Sequence, residues 1–414
     1  MVYFTMVRIM TDQKPKQNIV IVGGGFGGVK AALELSRDER FQITVVSDRP
    51  DFWYFPTMYR TATGGDRDQS SIPLSRLFHG KKNITLVEGR LESLDKATKT
   101  IKLEKVKEPL GYDKLVLALG VVTNYFGIPG LKEFSFGIKS IPEVERLKKH
   151  LHQQLMDQHK PDLNYVVVGG GPTGIELAGA LPGYLKDIME KHGLDARKIH
   201  IDLVEGAPHL MPRLPRRVGR AIEHRLRKLG VKLYLGKAVQ GQTAEELTVS
   251  GKPIRSHTVI WTAGMANNPF FNPKADGSSD FEISPRKKVV VDEFLRASKD
   301  IFIIGDNAET PFSGMAQTAI YDAEFVAHNF VKELDGEPKL AYRPKQPVYV
   351  TPAGPGWASV QWNKLKLEGR LGWFLREAAD FVAFTDIEPL PNAALQWGHG
   401  LEREDLCSTC GSLA

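Results

Sequence analysis

Two stretches of the chain share one order of apolar, glycine and mixed positions. Each begins with a short run of β-branched residues, passes through closely spaced glycines and continues with a composition typical of a helix. The first is NIVIVGGGFGGVKAA, residues 18–32, and the second is YVVVGGGPTGIELAG, residues 165–179. A strand without polar alternation is typical of a parallel sheet that is covered on both faces. The pattern therefore predicts two α/β units, each with a buried strand, a tight turn and a helix.

The glycines of both stretches follow the spacing G-x-G-x-x-G. In such a turn the first glycine permits the bend, the second lets the backbone approach a pyrophosphate, and the third lets helix and strand pack closely. Free N–H groups at the start of the helix then bind the phosphates. The glycines are Gly23, Gly25 and Gly28 in the first stretch and Gly169, Gly171 and Gly174 in the second. Their context predicts two Rossmann-like dinucleotide-binding domains, although either copy taken alone could be only a turn.

An acidic residue at the end of the next strand completes each unit. In FQITVVSD the acid is Asp48, twenty residues after Gly28, and Ser47 is the alternative. In KIHIDLVEG the acid is Glu205. A carboxylate at this point hydrogen-bonds the ribose hydroxyls and disfavours a 2′-phosphate. We therefore expect Glu205 to favour NADH over NADPH, while a solvated turn carboxylate is the competing interpretation of both acids.

Further apolar segments complete the two units. YDKLVLALG predicts a buried strand that ends at Gly120, and KDIFIIGDNAET predicts another that ends at Gly305 and Asp306. HTVIWTAG predicts a strand followed by a turn at Ala263 and Gly264. The predicted organisation is a first unit at 17–140, a second unit at 141–275, the remainder of the first unit at 276–345 and a C-terminal segment at 346–414.

The bulk composition excludes several classes of protein. The chain has 414 residues, of which 42% are hydrophobic, and a formal net charge of +6. No apolar run reaches the roughly 20 residues of a membrane span, and no basic tract is interleaved with the aromatic residues that nucleic-acid binding would favour. We therefore expect a cytoplasmic chain that binds no nucleic acid. Its mild positive charge suits an anionic membrane surface.

Cysteine usage narrows the chemistry further. The two cysteines, Cys407 and Cys410, both lie in the last eight residues. Their position excludes a disulfide framework and a cysteine nucleophile in the folded core. One C-x-x-C pair supplies too few ligands for a zinc site, so no metal is expected. An incidental exposed dithiol and a redox shuttle remain as interpretations of the tail.

As a set, the motifs resemble those of the type II NADH dehydrogenases, which are single-subunit NADH:quinone oxidoreductases among the flavoproteins with two dinucleotide sites. The segments that carry the resemblance are VVGGGPTGIELAGAL, NYFGIPG, LVEGAPHLMPRLP, VIWTAG, FIIGDNAE and AQTA. The resemblance implies an enzyme of the respiratory chain that passes hydride from NADH to FAD and then electrons to a membrane quinone. It implies a peripheral protein on the inner face of the cell membrane and leaves room for a homodimer.

The resemblance also implies which residues hold FAD. The first glycine set and Asp48 are similar to the FAD adenosine site. Gly120, at the end of LALG, corresponds to a backbone contact with FAD. Gly305 and Asp306 match the turn whose acid holds the FAD ribityl chain.

A second group of residues is implied to face NADH and the acceptor. Thr173 and Glu176 lie in the first turns of the second helix, and Glu176 occupies the acidic position beside the nicotinamide. Ala263 and Gly264 belong to the loop against which NADH lies. Gln317 matches a glutamine near the flavin ring and the quinone, so it counts among both the cofactor-binding and the catalytic residues. Glu176 could instead be only a carboxylate at a helix start, which the helix dipole favours.

The chain departs from the family on the acceptor side. Tyr321 stands where the family has a second glutamine, and we hypothesise that its ring packs against the quinone. Of the family's C-terminal membrane-resting helices, only GRLGWFLREAADFVAF remains. Its apolar residues at one helical face are Leu371, Phe374, Leu375, Ala378, Phe381 and Val382. Such a face packs on the core or lies on lipid. A ferredoxin reductase, or a binding and signalling flavoprotein resembling apoptosis-inducing factors, therefore remains as an alternative.

Overall fold

The structure is a computed structural model that describes residues 16–157, 163–194 and 197–400. Its first part alternates strands with short helices. In chain order these elements are β1 (Gln17–Val22), α1 (Phe26–Leu35), β2 (Phe41–Ser47), β3 (Asp51–Trp53), α2 (Met58–Ala62), β4 (Ser71–Pro73), α3 (Leu74–Leu77), β5 (Ile84–Glu88), β6 (Leu91–Asp95), β7 (Thr100–Leu103), β8 (Leu110–Gly111), β9 (Lys114–Leu117), β10 (Val121–Thr123) and α4 (Leu131–Phe134).

The remaining elements contain the longer helices. The middle part comprises α5 (Ile141–Met156), β11 (Asn164–Val168), α6 (Pro172–Lys191), β12 (His200–Glu205), α7 (Arg216–Lys228), β13 (Val231–Leu235), β14 (Val239–Gln242), β15 (Glu246–Val249), β16 (Lys252–Arg255), β17 (Thr258–Trp261) and β18 (Met265–Asn267). The last part comprises β19 (Arg296–Ser298), β20 (Ile301–Ile303), α8 (Ala316–Leu334), β21 (Tyr349–Pro352), β22 (Ala358–Trp362), β23 (Leu365–Gly369), α9 (Arg370–Thr385) and α10 (Leu390–His399).

The first sheet has the strand order β19-β20-β9-β1-β2-β5. β1 runs parallel to β2, with Val22 beside Val46, and parallel to β9 on its other side. β20 also pairs in parallel with β9, although the whole middle part of the chain separates them. Helices α1 and α8 bury their apolar sides in the core of this sheet, because Ala31, Ala32 and Ala323 let the backbones approach. This unit is therefore closed by a strand from the last part of the chain.

The second sheet repeats this arrangement with the strand order β13-β12-β11-β17, all parallel. Val168 of β11 lies beside Val204 of β12. Two antiparallel strands, β10 and β18, form a ribbon that joins the first part to the middle part. The predicted α/β fold with two parallel-sheet dinucleotide units is confirmed.

The C-terminal part has an unusual helix. Strands β21, β22 and β23 form an antiparallel sheet that α9 covers. The side of α9 that faces the protein carries Arg376 and Asp380, both buried, whereas Leu371, Phe374 and Val382 are 56%, 68% and 58% exposed. Of the predicted apolar face, Leu375, Ala378 and Phe381 are partly buried, so the face is divided between the protein and its surroundings. Within the described residues no helix is long and apolar enough to cross a membrane. The two cysteines lie outside the described residues.

Candidate cofactor and active site

The first glycine turn joins β1 to α1. Gly23 has a φ of 128°, which favours glycine, and its N–H donates to the carbonyl oxygen of Val46 at 2.8 Å. A methyl group on Gly28 would lie 1.8 Å from the Gly23 oxygen, so no larger residue fits there. Gly25 precedes α1, and a methyl group on it would meet no atom within 4 Å. The turn therefore leaves open space at the N-terminus of α1, where free N–H groups can bind a phosphate.

The second glycine turn, between β11 and α6, has the same geometry. Gly169 has a φ of 122° and donates its N–H to the oxygen of Val204 at 2.8 Å. A methyl group on Gly174 would lie 1.9 Å from the Gly169 oxygen, while one on Gly171 would again meet nothing within 4 Å. Thr173 is exposed in the first turn of α6. The two predicted turns therefore have the same cradle shape.

The loop after β17 packs directly beneath the second turn. Thr262 donates its hydroxyl to the oxygen of Val168 at 2.8 Å. A methyl group on Gly169 would approach the Ala263 nitrogen to 2.9 Å, and one on Gly264 would approach the Asn124 oxygen to 2.0 Å. The predicted residue Ala263 thus lies beside the second glycine turn, although it is almost a hundred residues away in sequence, while Gly264 packs against Asn124.

The two strand-end acids differ in position. Glu205 accepts N–H donations from Gly170 at 2.5 Å and from Ala207 at 2.6 Å, so its carboxylate lies directly at the second turn. Because Val46 and Val204 occupy equivalent register positions, the counterpart of Glu205 in the first unit is Ser47. Asp48 lies one residue further, 42% exposed, where its carboxylate pairs with the guanidinium groups of Arg49 and Arg90 at 3.1 and 3.6 Å.

The strand ends of β9 and β20 meet through an asparagine that the sequence did not single out. Asn307 accepts from the Gly120 N–H at 2.9 Å and donates to the Gly120 oxygen at 2.7 Å. This pair ties the predicted Gly120 to the turn that contains Gly305 and Asp306. Burial raises the pKa of Asp306, and the ammonium of Lys288, which donates to the Asp306 carbonyl at 2.8 Å, opposes that shift. The only signal for Asn307 in the sequence is its place directly after Asp306.

Lys139 is a second residue that sequence reasoning missed. Its ammonium lies 3.5 Å from the Gly264 oxygen and has no ion pair among the described residues, while its own backbone N–H is held by Glu143 at 2.8 Å. Burial lowers the pKa of Lys139 to about 8, against the attraction of Asp306 and Glu143. A desolvated cation with one long hydrogen bond and no ion pair among the described residues suits an anionic or hydroxyl-rich ligand.

Glu176 is buried at the start of α6. Burial raises its pKa to about 8; the positive charges of Arg376 and Arg60 oppose the shift, while the negative charge of Asp380 adds to it. The carboxyl group is therefore protonated at neutral pH. Its neighbours come from three separate parts of the chain, namely α6, the segment around α2 and α9. A merely dipole-stabilised carboxylate would be ionised and exposed, so this environment disfavours the simpler interpretation.

Gln317 and Tyr321 lie in α8, and both contact residues of the segment 342–348. The Gln317 amide is exposed and both donates to and accepts from the backbone of Val348, each at 3.0 Å. The Tyr321 ring lies 5.8 Å from the Tyr342 ring between centroids, and the Lys345 ammonium lies 4.0 Å from its centroid. These two residues lie on α8 and Glu176 lies on α6, and their roles at the acceptor stay predictions.

Most of the chain matches one known protein family. The model of the pyridine nucleotide-disulphide oxidoreductases matches residues 17–323 of the 414. The chain belongs to this family. The chain carries no cysteine before Cys407, so the disulfide chemistry of the family name has no candidate residues in the matched region.

Relatives and solved structures agree with this assignment. The chain is 29% identical to the type II NADH:quinone oxidoreductase Ndh of Mycobacterium tuberculosis, over 79% of this chain and 75% of that protein. It is 24% identical to the type II NADH:quinone oxidoreductase of Staphylococcus aureus, over 78% and 84%. Its fold is similar to that of NDH2 from Plasmodium falciparum in complex with NADH, with a TM-score of 0.81, 18% identity and coverage of 93% and 97%.

The described residues fit the two cofactors of the family, FAD in the first unit and NADH in the second. The evidence is the pair of open cradles at Gly25 and Gly171, each above the start of a helix of at least ten residues. No lysine or arginine is needed there, because the helix N-terminus itself favours the phosphate charge.

Proposed function

We propose that the chain is a type II NADH:quinone oxidoreductase, which oxidises NADH through FAD and reduces a membrane quinone. The observation that carries the proposal is the pair of open dinucleotide cradles, with Glu176 buried in the helix that begins at the second cradle. The two dinucleotides supply the two-electron chemistry when bound. The chain itself supplies binding, orientation and a place for a proton.

The binding roles follow from the geometry of each turn. The starts of α1 and α6 hold the two pyrophosphates. Asp306 and Gly120, at the strand ends of the first sheet, contact FAD. Asp48 remains the predicted adenosine ligand, while Ser47 is the better placed of the two because its hydroxyl approaches Gly24. We add Lys139 to this set, as the cation between the two cofactors.

Glu176 has the role of an uncharged polar group beside the nicotinamide. Because it holds its proton at neutral pH, it can donate a hydrogen bond to a carboxamide or a carbonyl oxygen. Gln317 and Tyr321 belong to the acceptor side in this proposal, as the family resemblance implies.

Replacing Glu205 with alanine is expected to reduce the preference for NADH over NADPH. The Glu205 carboxylate lies at the Gly170 N–H, where it binds ribose hydroxyls and repels a 2′-phosphate. We expect the ratio of the two flavin-reduction efficiencies, measured by stopped-flow bleaching, to fall by about tenfold or more. Glu190→Ala, an exposed acid at the other end of α6, is the control and should leave the ratio unchanged. Equal rates with both nucleotides in the unaltered protein would contradict the assignment of Glu205.

The membrane-facing part of the proposal rests on one surface. The apolar surface is defined by exposed residues of α9, α10 and the β22–β23 hairpin, namely Leu371, Phe374, Val382, Leu390, Leu395, Trp362 and Leu365. The buried side of α9 carries Arg376 and Asp380 besides Gly372 and Phe384, while three large apolar side chains of the helix are exposed. Lipid at the inner face of the cell membrane is the occupant we propose, because it receives apolar side chains of a peripheral helix and carries the quinone.

The acceptor is tested by NADH oxidation with a short-chain quinone, with and without anionic liposomes. We expect the unaltered protein to turn over the quinone and to sediment with the liposomes. The Leu371→Ser/Phe374→Ser variant should no longer sediment with them. Lys364→Gln on the nearby exposed turn is the control for general surface charge. Negligible quinone turnover together with rapid reduction of a ferredoxin would replace the proposal by the reductase alternative. Slow turnover with every acceptor would favour the binding and signalling alternative.

A further inference from the structure

The ribbon of β10 and β18 connects the two cofactor units. β10 begins directly after Gly120, at a strand end of the first sheet, and β18 begins directly after Gly264, in the loop that follows β17 of the second sheet. The two strands are antiparallel and pair at three positions, with Val121 opposite Asn267. The end of the ribbon at Val121 and Asn267 therefore lies at the first unit, and its other end lies at the loop of the second unit.

Asn307 closes the end of the ribbon that lies at the first unit. It directly follows Asp306, and it is 0% exposed. Its Oδ1 accepts from the Gly120 N–H at 2.9 Å. Its Nδ2 donates to the Gly120 oxygen at 2.7 Å and to Asn267 Oδ1 at 2.6 Å. One buried side chain in the turn that contains Asp306 thus holds both strands of the ribbon.

The hydrogen bond between Asn307 and Asn267, which we call the asparagine pair, is the contact that crosses from one unit to the other. Asn267 is the last residue of β18, and its Oδ1 also accepts from the Asn268 N–H at 3.0 Å. Two strands with so few paired residues are only marginally stable by themselves. The side chains that attach the ribbon at its ends therefore decide where it lies.

The opposite end of the ribbon is attached beside the second glycine turn. Asn124, directly after β10, donates its N–H to the Gly264 oxygen at 3.2 Å, and its own oxygen accepts from the indole N–H of Trp261 at 2.9 Å. Thr262, the next residue, donates its hydroxyl to the Val168 oxygen directly before that turn. The ribbon is therefore a short spacer with one end fixed at each cofactor unit.

We infer that Asn267 and Asn307 are positioning residues that align the two cofactors for hydride transfer. Transfer requires the reacting atoms to lie within about 3.5 Å of each other, and a shift of about 1 Å caused by a remote change can cost on the order of a hundredfold in rate. The asparagine pair fixes the spacer at the turn that contains Asp306. The inference rests on the proposed function, because it takes NADH as the donor and FAD as the acceptor of the hydride.

The test replaces Asn267 in the FAD-loaded protein. Asn267→Ala removes the acceptor of the bond that crosses between the units and leaves both bonds between Asn307 and Gly120 in place. Asn267→Asp keeps an accepting oxygen and loses only the Nδ2 group, which has no hydrogen-bond partner among the described residues. Asn272→Ala, at an exposed asparagine beyond the ribbon, is the control.

Two measurements separate alignment from binding. The oxidised protein is titrated with tetrahydro-NADH, an analogue that donates no hydride. Its charge-transfer absorbance at saturation reports how the nicotinamide ring stacks on the flavin, and the titration gives the Kd. Stopped-flow reduction by NADH then gives the limiting rate of flavin reduction per bound FAD.

We expect Asn267→Ala to lose about half or more of the charge-transfer absorbance and to reduce the limiting rate by about tenfold, while the Kd changes by less than about threefold. Asn267→Asp should recover most of both, and Asn272→Ala should match the unaltered protein. An unchanged absorbance and rate in Asn267→Ala would overturn the inference. Loss of bound FAD from Asn267→Ala would also overturn it, because the pair would then serve retention of the cofactor. If NADH does not reduce the flavin of the unaltered protein, the proposed function itself fails.

Discussion

Replacing Gly28 with alanine is expected to abolish the retention of FAD. The unaltered protein should purify yellow, with about one non-covalent FAD per chain. The alanine methyl group would lie 1.8 Å from the Gly23 oxygen and 3.0 Å from its carbon. This contact is with backbone, which cannot move aside without opening the turn between β1 and α1. We expect the flavin absorbance per chain to fall below roughly one tenth of its normal value.

The matched control for this variant is Gly183→Ala. Gly183 also lies in a long helix, α6, but a methyl group there would meet no atom within 4 Å. Since alanine favours a helix by about 1 kcal/mol over glycine, this control should keep its FAD and unfold at an equal or higher temperature. Normal flavin content in the Gly28→Ala protein would show that the first turn is not the cofactor cradle.

Replacing Glu176 with glutamine is expected to remove a large pH dependence of stability. Burial raises the pKa of Glu176 to about 8, whereas the unfolded chain ionises this group near its usual value of 4.5. The folded chain therefore holds a proton that the unfolded chain loses between these values. The contribution of the group to the free energy of unfolding is complete below pH 4.5 and is lost as the pH rises through about 8. The loss is on the order of 4 kcal/mol between about pH 5 and pH 8.

Urea unfolding of the FAD-loaded protein at these two pH values measures the effect. The unaltered protein should lose more stability on going to the higher pH than Glu176→Gln, since glutamine stays neutral throughout. Glu190→Gln, at the exposed end of the same helix, should follow the unaltered protein. An identical pH dependence for the unaltered protein and Glu176→Gln would mean that Glu176 is ionised in the folded chain and cannot hold the proton assigned to it.

Much of the fold could be predicted because the signals are local. A continuous apolar strand, a glycine spacing and a following helix lie within fifteen residues of each other in each unit, and Gly23 and Gly169 have the positive φ that such a turn requires. The loop at Ala263 and the turn at Asp306 could be placed for the same reason, since parallel strands bring their carboxyl ends to one edge of a sheet. The resemblance to a family then named their ligands.

The acceptor side could not be predicted in the same way. The helical pattern of α9 gave its apolar face correctly, but periodicity does not tell which face a helix turns toward the protein. On the FAD side the sequence left Asp48 and Ser47 as alternatives, because a difference of one residue moves a side chain to the other side of a strand, and the register of β1 with β2 makes Ser47 the counterpart of Glu205.

By itself the sequence determined the two dinucleotide units, their glycine turns and the acid at Glu205, because each depends on residues close together in the chain. Composition alone showed that no cysteine precedes residue 407. Only the tertiary structure decided that burial raises the pKa of Glu176 and that Arg376 and Asp380 lie on the buried side of α9. The pKa of a carboxyl group and the cost of a buried charge depend on which distant segments exclude water from it, and those segments meet only when the chain has folded.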